Sequence, residues 1–287
     1  MTKIQFIKWV GGGIVVGGIA GSIPLIIHFA MKKDWQDNWI PKSMLDIKKG
    51  VLLGLKDNTD TISHKCNTLM IPKSVHEIAG SAFNQTQTDK SNAAFSPNTG
   101  WIKYLHEQNG IGGYIIQDLA FHNTSFAALT IHKCSTIGRL AFASDSEGYS
   151  GFTSAGLDRC TSIGESAFRN NSELDAIVAP KCTSLGDTVF DGCSFLERCY
   201  IPKVSAIGAN AFRDCHKLNF LTIGSADVNT PITYNSFFSA NVPFLIEDNN
   251  TTNEPEWYIH VPSGMASLYV ASWSIPQLTQ WISEIVN

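Results

Sequence analysis

One short phrase recurs along the chain at nearly regular intervals, and it limits the fold more than any other feature. The phrase is an Ile-Gly or similar pair, followed by a small residue and a phenylalanine. The phenylalanines of these phrases are Phe83, Phe121, Phe142, Phe168, Phe190, Phe212 and Phe238. Their separations are 38, 21, 26, 22, 22 and 26 residues, so the base period is 22 and some copies carry extra residues. A fixed period of this length is typical of a solenoid in which each copy forms one coil.

The clearest copies, residues 174–193 and 196–215, each begin with a short strand pattern. The start of the next copy illustrates it, because Leu221 and Ile223 are apolar and Thr222 between them points to the other face. A single copy cannot bury its apolar face alone, so successive copies must stack and share one interior. The sequence therefore predicts a parallel β-solenoid over residues 62–272.

The cysteines follow the same repeat. All seven occupy positions that other copies fill with small or apolar residues: Cys66, Cys134, Cys160, Cys182, Cys193, Cys199 and Cys215. No two of them have the CxxC spacing of a metal site. We expect them to be unpaired thiols packed as small apolar side chains.

The N-terminal segment 9–31 contains no Asp, Glu, Lys or Arg. As a helix it would be about 35 Å long, enough to cross a bilayer core of about 30 Å. We predict a transmembrane anchor within residues 1–33, and Lys3 and Lys8 favour an inside N-terminus and an exported remainder. Two alternatives remain open: a signal peptide cleaved near Ala20-Gly21-Ser22, which would give a secreted protein, and a buried helix of a larger assembly.

Gly13, Gly17 and Gly21 would lie on one face of this predicted helix. Small residues at that spacing allow two membrane helices to pack closely, which would support a homo- or hetero-oligomer. The other interpretation is that this face only contacts lipid.

The remaining chain divides around the repeats. Residues 34–61 are predicted as a linker and N-terminal cap with a short helix at 44–56, and residues 273–287 as a C-terminal cap with a helix at 277–286. Three stretches interrupt the repeats and are predicted as inserted loops: 84–113, 143–154 and 225–256. Inserted loops of solenoids often carry recognition, although loops at a surface also vary freely.

Two sets of residues are candidates for ligand binding. The first set follows each strand at one repeat position and is called the basic column: Lys73, Lys133, Arg159, Lys181 and Lys203. Stacked coils would align these cations into a site for a polyanion, such as an acidic glycan or wall polymer. The other interpretation is a solvated edge, partly offset by Glu165 and Asp187.

The second set consists of aromatic residues at outward strand positions, Tyr200, Phe220 and Tyr258. We predict two outward rows, one with Ala128, Ala176, Arg198, Phe220 and Tyr258, the other with Thr130, Val178, Tyr200 and Thr222. Aromatic residues and arginine are favoured in interface hot spots, whereas ordinary β-propensity would also place them in strands.

The charge balance and motifs exclude several classes of function. Charged residues make up 16% of the chain and the net charge is −4, so nucleic acid is not an expected partner. The sequence contains no GxSxG, P-loop or HExxH motif and no GxGxxG in a strand–helix context. We expect no catalytic residue, cofactor or metal site.

The phrases at residues 71–83 (IPKSVHEIAGSAF), 159–168 (RCTSIGESAF) and 201–223 (IPKVSAIGANAFRDCHKLNFLTI) resemble the BspA-like leucine-rich repeat family. Residues 260–273 (HVPSGMASLYVASW) resemble the element that closes such solenoids. The resemblance implies a right-handed leucine-rich-repeat solenoid displayed on a microbial surface and associated with adhesion. The spacing departs from a regular repeat, most of all between Phe83 and Phe121.

We therefore expect a membrane-anchored, non-catalytic surface protein that binds an extracellular protein or glycan. The alternative is a structural subunit of a membrane-associated assembly, in which both the glycine-rich helix and the solenoid contact other proteins.

Overall fold

The computed structural model describes the repeat region and parts of both termini. The described residues are 14–16, 25–27, 39–56, 66–84, 102–124, 126–145, 152–224, 231–233, 238, 258–273 and 282–284.

The regular elements of the described residues are mainly short strands. In chain order the strands are β1 (Ile14–Val16), β2 (Leu25–Ile27), β3 (Leu45–Lys48), β4 (Val51–Leu55), β5 (Thr68–Ile71), β6 (Glu77–Ile78), β7 (Tyr104–Glu107), β8 (Tyr114–Ile116), β9 (Ala128–Thr130), β10 (Cys134–Ile137), β11 (Ser154–Gly156), β12 (Ser162–Ile163), β13 (Ala176–Val178), β14 (Ser184–Leu185), β15 (Arg198–Ile201), β16 (Ala206–Ile207), β17 (Phe220–Ile223), β18 (Tyr258–Val261) and β19 (Ile282–Glu284). An α-helix, α1 (Ala266–Trp273), lies between β18 and β19.

Two long sheets run along the solenoid. The front sheet has the order β19-β18-β17-β15-β13-β11-β9-β7-β5, and the back sheet has the order β16-β14-β12-β10-β8-β6-β4-β3. From β5 to β16 each coil contributes one strand to each sheet, and strands of neighbouring coils pair in parallel. Ala176 pairs with Arg198, which pairs with Phe220, so the predicted step of 22 residues aligns equivalent positions. The predicted parallel β-solenoid is confirmed.

The repeat phenylalanines form one continuous stack inside the solenoid. From Phe83 to Phe238 the centroids of successive rings lie 5.1, 5.3, 5.5, 5.7, 5.5 and 5.9 Å apart. Phe126 and Phe152 pack edge-on against this stack. Burying one phenylalanine side chain contributes about 1.5–3 kcal/mol, so the stack is a main source of stability.

Glycine follows the last aliphatic residue of several back-sheet strands because the coils approach closely there. A Cβ on Gly186 would lie 2.5 Å from the backbone nitrogen of Glu165 and 2.8 Å from the carbonyl carbon of Gly164. Gly138, Gly164 and Gly208 have the same kind of contact with the preceding coil. The Ile-Gly pair of the repeat is therefore explained by the distance between adjacent backbones.

The cysteines are free and serve the packing of the coils. Six are buried and Cys66 is partly buried. The thiols of Cys134, Cys160 and Cys182 each donate to the backbone oxygen two residues further on, at 3.2, 3.2 and 3.3 Å. Burial raises the pKa of the Cys134 thiol to about 12 and that of Cys182 to about 11. The structural role predicted for the cysteines is confirmed for the six buried residues.

The N-terminal cap is a hairpin, so the helix predicted at 44–56 is wrong. A short 3-10 turn at Lys42–Met44 leads into β3, which pairs antiparallel with β4. Lys49 and Gly50 join the two strands with φ values of 50° and 80°, as two-residue hairpin turns require. Because β4 also pairs with β6, the hairpin covers the end of the back sheet, and this pairing outweighs the apolar spacing that suggested a helix.

The predicted membrane helix is not found in the described part of segment 9–31. Residues of β1 and β2 pair antiparallel, with Ile14 opposite Ile27. The β-branched side chains at 14–16 favour strands over helix. Among the described residues no helix is both long and apolar enough to cross a membrane. Gly13, Gly17 and Gly21 lie outside the described residues.

The predicted inserted loops contain parts of the solenoid. Loop 84–113 includes β7, which pairs with β5 and β9 in the front sheet, so the loop prediction is wrong there. Phe152, placed in the second loop, is buried between Phe142 and Phe168. Residues 85–101 and 146–151 lie outside the described residues, as does most of 225–256.

The C-terminal end is closed by α1 and β19. Trp273 donates from Nε1 to the backbone oxygen of Ile232 at 2.7 Å, and the backbone N–H of Ile232 donates to the Tyr269 hydroxyl at 3.3 Å. The helix predicted at 277–286 is wrong at Ile282–Glu284, which pairs with β18 as an additional strand. The sheet hydrogen bonds offered by β18 outweigh the local helical pattern.

Candidate recognition surface

The strand pairing of the front sheet aligns residues of successive coils into two rows on its outer face. The first row is Thr68, Tyr104, Ala128, Ser154, Ala176, Arg198, Phe220 and Tyr258. The second row is Met70, His106, Thr130, Gly156, Val178, Tyr200, Thr222 and His260. Both predicted rows are present. Tyr104, His106 and His260 were missed because the coils that carry them depart from the base period.

The aromatic residues predicted for this face lie toward its C-terminal end. The rings of Phe220 and His260 have centroids 4.6 Å apart at an angle of 51°. Tyr200 is half-buried, and burial raises the pKa of its hydroxyl. Tyr258 is the register partner of Phe220, and its side chain lies outside the description. The predicted aromatics are thus neighbours in two adjacent rows.

Arg198 is the charged residue of the first row. Its Nη2 lies 3.4 Å from Oδ2 of Asp175, which precedes β13. The side chain of Arg198 is 31% exposed, so the guanidinium is held in place yet reaches the surface.

The basic column is interrupted by one coil. Lys133, Arg159, Lys181 and Lys203 follow β9, β11, β13 and β15 at equivalent positions of consecutive coils. Lys73 follows β5, and the coil of β7 places Asn109 between it and Lys133. At about 4.8 Å per strand, the run from Lys133 to Lys203 extends over about 14 Å.

The uninterrupted run of the basic column carries unpaired positive charge. Arg159, Lys181 and Lys203 are exposed and Lys133 is partly exposed. Within the described ranges none of these side chains makes an ion pair. Glu165 and Asp187 also make no ion pair with these cations in the part of the chain that the structure describes. The charge compensation considered from the sequence therefore does not occur through direct contact.

A histidine and two acids lie beside the start of this run. Nδ1 of His132 is 2.7 Å from Oδ2 of Asp158 on the next coil, and this hydrogen bond raises the pKa of His132. Oε1 of Glu107 accepts the backbone N–H of Lys133 at 2.9 Å. Burial, with a smaller effect of His132, lowers the pKa of His106. Protonation of His132 therefore adds positive charge next to Lys133.

Metal binding has no support in the part of the chain that the structure describes. No group of three or more His, Cys, Asp or Glu side chains there could hold a metal ion. The expectation that the protein has no catalytic residue or cofactor stays a prediction.

These features define a class of protein. Coils with one strand in each of two parallel sheets and a shared apolar interior define a parallel β-solenoid. Residues 114–243 match the family model of the BspA type leucine-rich repeat region in six copies, so this part of the chain is a BspA-type leucine-rich-repeat region.

The chain is also similar to solved bacterial leucine-rich-repeat structures. It is 18% identical to the T. pallidum leucine-rich-repeat protein, with a TM-score of 0.38 over 65% of this chain and 71% of that chain. A leucine-rich cell surface protein of Faecalibacterium prausnitzii is 14% identical, with a TM-score of 0.31 over 99% of this chain and 96% of that chain. A Bacteroides ovatus leucine-rich-repeat protein is 13% identical, with a TM-score of 0.28 over 97% of this chain and 100% of that chain. The curated proteins contain no match.

Proposed function

We propose that this chain is a non-catalytic recognition module, displayed outside a cell, that binds a negatively charged extracellular protein or glycan. The observation that carries the proposal is the run from Lys133 to Lys203, which places a cation on each of four consecutive coils. The aromatic face formed by Tyr200 and Phe220 lies on the same sheet. Display outside the cell is supported by the BspA type of the repeats in residues 114–243.

The electrostatics of the run favour a polyanion over a single acidic residue. One exposed ion pair contributes about 0–1 kcal/mol, because water and salt screen it. Four cations on a rigid sheet edge act together on a ligand that carries several negative charges. Binding should therefore weaken strongly with ionic strength.

Charge reversal tests this site on the full chain. The double substitution Lys181→Glu with Lys203→Glu is compared with a control, Arg139→Glu with Lys217→Glu, which changes the net charge equally. Arg139 and Lys217 are exposed and lie away from the column, after β10 and before β17. We expect the wild type and the control to be retained on dextran sulfate beads, and the column variant to elute at much lower salt. Equal elution of both variants would show that the column is not a binding site.

Display outside the cell is tested separately by adding a protease to intact cells that produce the protein. We expect the solenoid to be degraded while a cytoplasmic marker stays intact. Protection of the solenoid until the cells are permeabilised would contradict the proposal. The mass of the mature N-terminus distinguishes a cleaved segment from a retained one.

A further inference from the structure

We propose that His132 makes the affinity of the basic column for polyanions depend on pH, with tighter binding in acid. The inference rests on the proposed function and deepens it, because it assigns a form of regulation to the same site. It concerns the end of the uninterrupted run at Lys133 and Arg159, where a titratable side chain lies beside the cations.

The register of the front sheet places His132 next to the column. His132 and Asp158 occupy equivalent positions of neighbouring coils, and each directly precedes a cation of the column, Lys133 or Arg159. At the same position the next two coils have proline, which does not titrate. The coil of Lys133 thus differs from these two by having a group that titrates near neutral pH.

A hydrogen bond to the neighbouring coil holds the His132 ring. Its Nδ1 is 2.7 Å from Oδ2 of Asp158, and the two side chains are 37% and 42% exposed, so protons and a ligand can reach them from solvent. An ionised carboxylate only accepts hydrogen bonds, so Nδ1 carries the hydrogen and the second proton is taken up by Nε2. Protonation therefore adds a positive charge and turns Nε2 from an acceptor into a donor.

The groups around the imidazole favour its protonated form. The hydrogen bond to Asp158 raises the pKa of His132 above 6.5; the charges of Asp158 and Glu107 also raise it, whereas burial and Lys133 lower it. His106 on β7 lies nearby, and burial, followed by the charge of His132, lowers the pKa of His106. His132 therefore gains its proton at a higher pH than His106 does.

The charges at this end of the column explain why one proton matters. Lys133 and Arg159 are positive, and the carboxylates of Glu107 and Asp158 lie beside them. Oε1 of Glu107 accepts the backbone N–H of Lys133 at 2.9 Å, which keeps this carboxylate close to the column. The four formal charges offset one another until His132 becomes positive. Since one exposed ion pair changes an affinity by up to about fivefold, we expect the proton to tighten polyanion binding about two- to fivefold.

The test measures the affinity of the full chain for dextran sulfate by biolayer interferometry at constant ionic strength, at about pH 5.5 and about pH 8.5. The sulfate esters of this probe stay ionised across the range, so a change in affinity comes from the protein. We expect the wild type to bind about two- to fivefold more tightly at the lower pH. His132→Gln should remove most of this difference. The control His216→Gln, at an exposed histidine before β17, should keep it.

Two further variants test the role of the charge and of the hydrogen bond. His132→Lys keeps a positive charge at both pH values, so its affinity should be high at both. Asp158→Asn removes the carboxylate that favours the imidazolium, so the midpoint of the pH dependence should move to lower pH. The same variant should bind more tightly at the higher pH, because one negative charge beside the column is lost. A purely structural role of His132 would not move the midpoint.

The outcomes separate this inference from the proposed function. The same pH dependence in His132→Gln and the wild type, or an unmoved midpoint in Asp158→Asn, would overturn the inference. In either case binding at the higher pH that depends on Lys181 and Lys203 leaves the proposed function standing. Loss of that dependence at both pH values would remove both proposals.

Discussion

Replacing Gly186 with alanine tests the close approach of neighbouring coils. The new Cβ would lie 2.5, 2.8 and 2.9 Å from the Glu165 nitrogen, the Gly164 carbonyl carbon and the Glu165 Cα. These are backbone atoms of the preceding coil, so no side-chain rotation relieves the contact. Forcing a methyl group into a packed site costs about 1–3 kcal/mol. At an unstrained site the same substitution would instead stabilise the fold by about 0.4–1 kcal/mol, because alanine restricts the unfolded chain.

The two effects have opposite signs, which makes the measurement decisive. Urea unfolding, followed by tryptophan fluorescence, gives the free energy of unfolding for the wild type, Gly186→Ala and Gly112→Ala. Among the described residues no heavy atom lies within 4 Å of the Cβ position of Gly112, so its variant serves as the matched control. We expect Gly186→Ala to lose about 1–3 kcal/mol with an unchanged denaturant slope, and Gly112→Ala to lose nothing. Equal stability of the two variants would refute the close approach.

Three further changes test the interior, a buried carboxylate and a buried histidine. Phe190→Ala should lower the free energy of unfolding by about 3–5 kcal/mol, whereas Phe195→Ala at a 51% exposed ring should cost about 1 kcal/mol or less; similar losses would contradict the stacked interior. Asp191 is buried and accepts a 2.7 Å hydrogen bond from Nε of Arg213, so Asp191→Ala should cost about 1.5–3 kcal/mol in urea unfolding, and a neutral result would contradict that pairing. Burial lowers the pKa of His122 below 6.5, so the unfolded chain binds a proton more readily and stability falls as the pH drops below about 6.5. Unfolding in urea at about pH 8 and about pH 5 should show a smaller difference for His122→Gln than for the wild type; an unchanged difference would assign the effect to other groups.

The repeat itself was predictable because several copies show the same residue pattern independently of one another. The phenylalanine stack and the buried cysteines follow from spacing alone, since a residue at a fixed repeat position must meet its equivalent on the next coil. The strand β7 was missed because 36 residues separate Leu105 from its partner Leu69 on the preceding coil. A step so different from 22 residues gives no indication of the register in the sequence. The cap hairpin was missed because apolar spacing at 44–56 fits a helix as well as a strand, and only pairing with β6 decides between them.

The candidate site was predictable only in part. The basic column could be aligned from the positions after each strand, but the interruption at Asn109 depends on the register of β7. Tyr104 and His106 could not be assigned to the outer rows for the same reason, because only the register of β7 places them there.

The most direct test of the stacking is a cysteine cross-link along the basic column. Arg159→Cys with Lys181→Cys joins equivalent positions of adjacent coils, about 4.8 Å apart between strands, within the span of a disulfide. Arg159→Cys with Lys203→Cys joins positions two coils apart, beyond that span. Peptide mass spectrometry after mild oxidation should find a disulfide in the first variant and free thiols in the second. A reduced first pair, or equal cross-linking of both pairs, would contradict the stacking of equivalent residues on which the whole account depends.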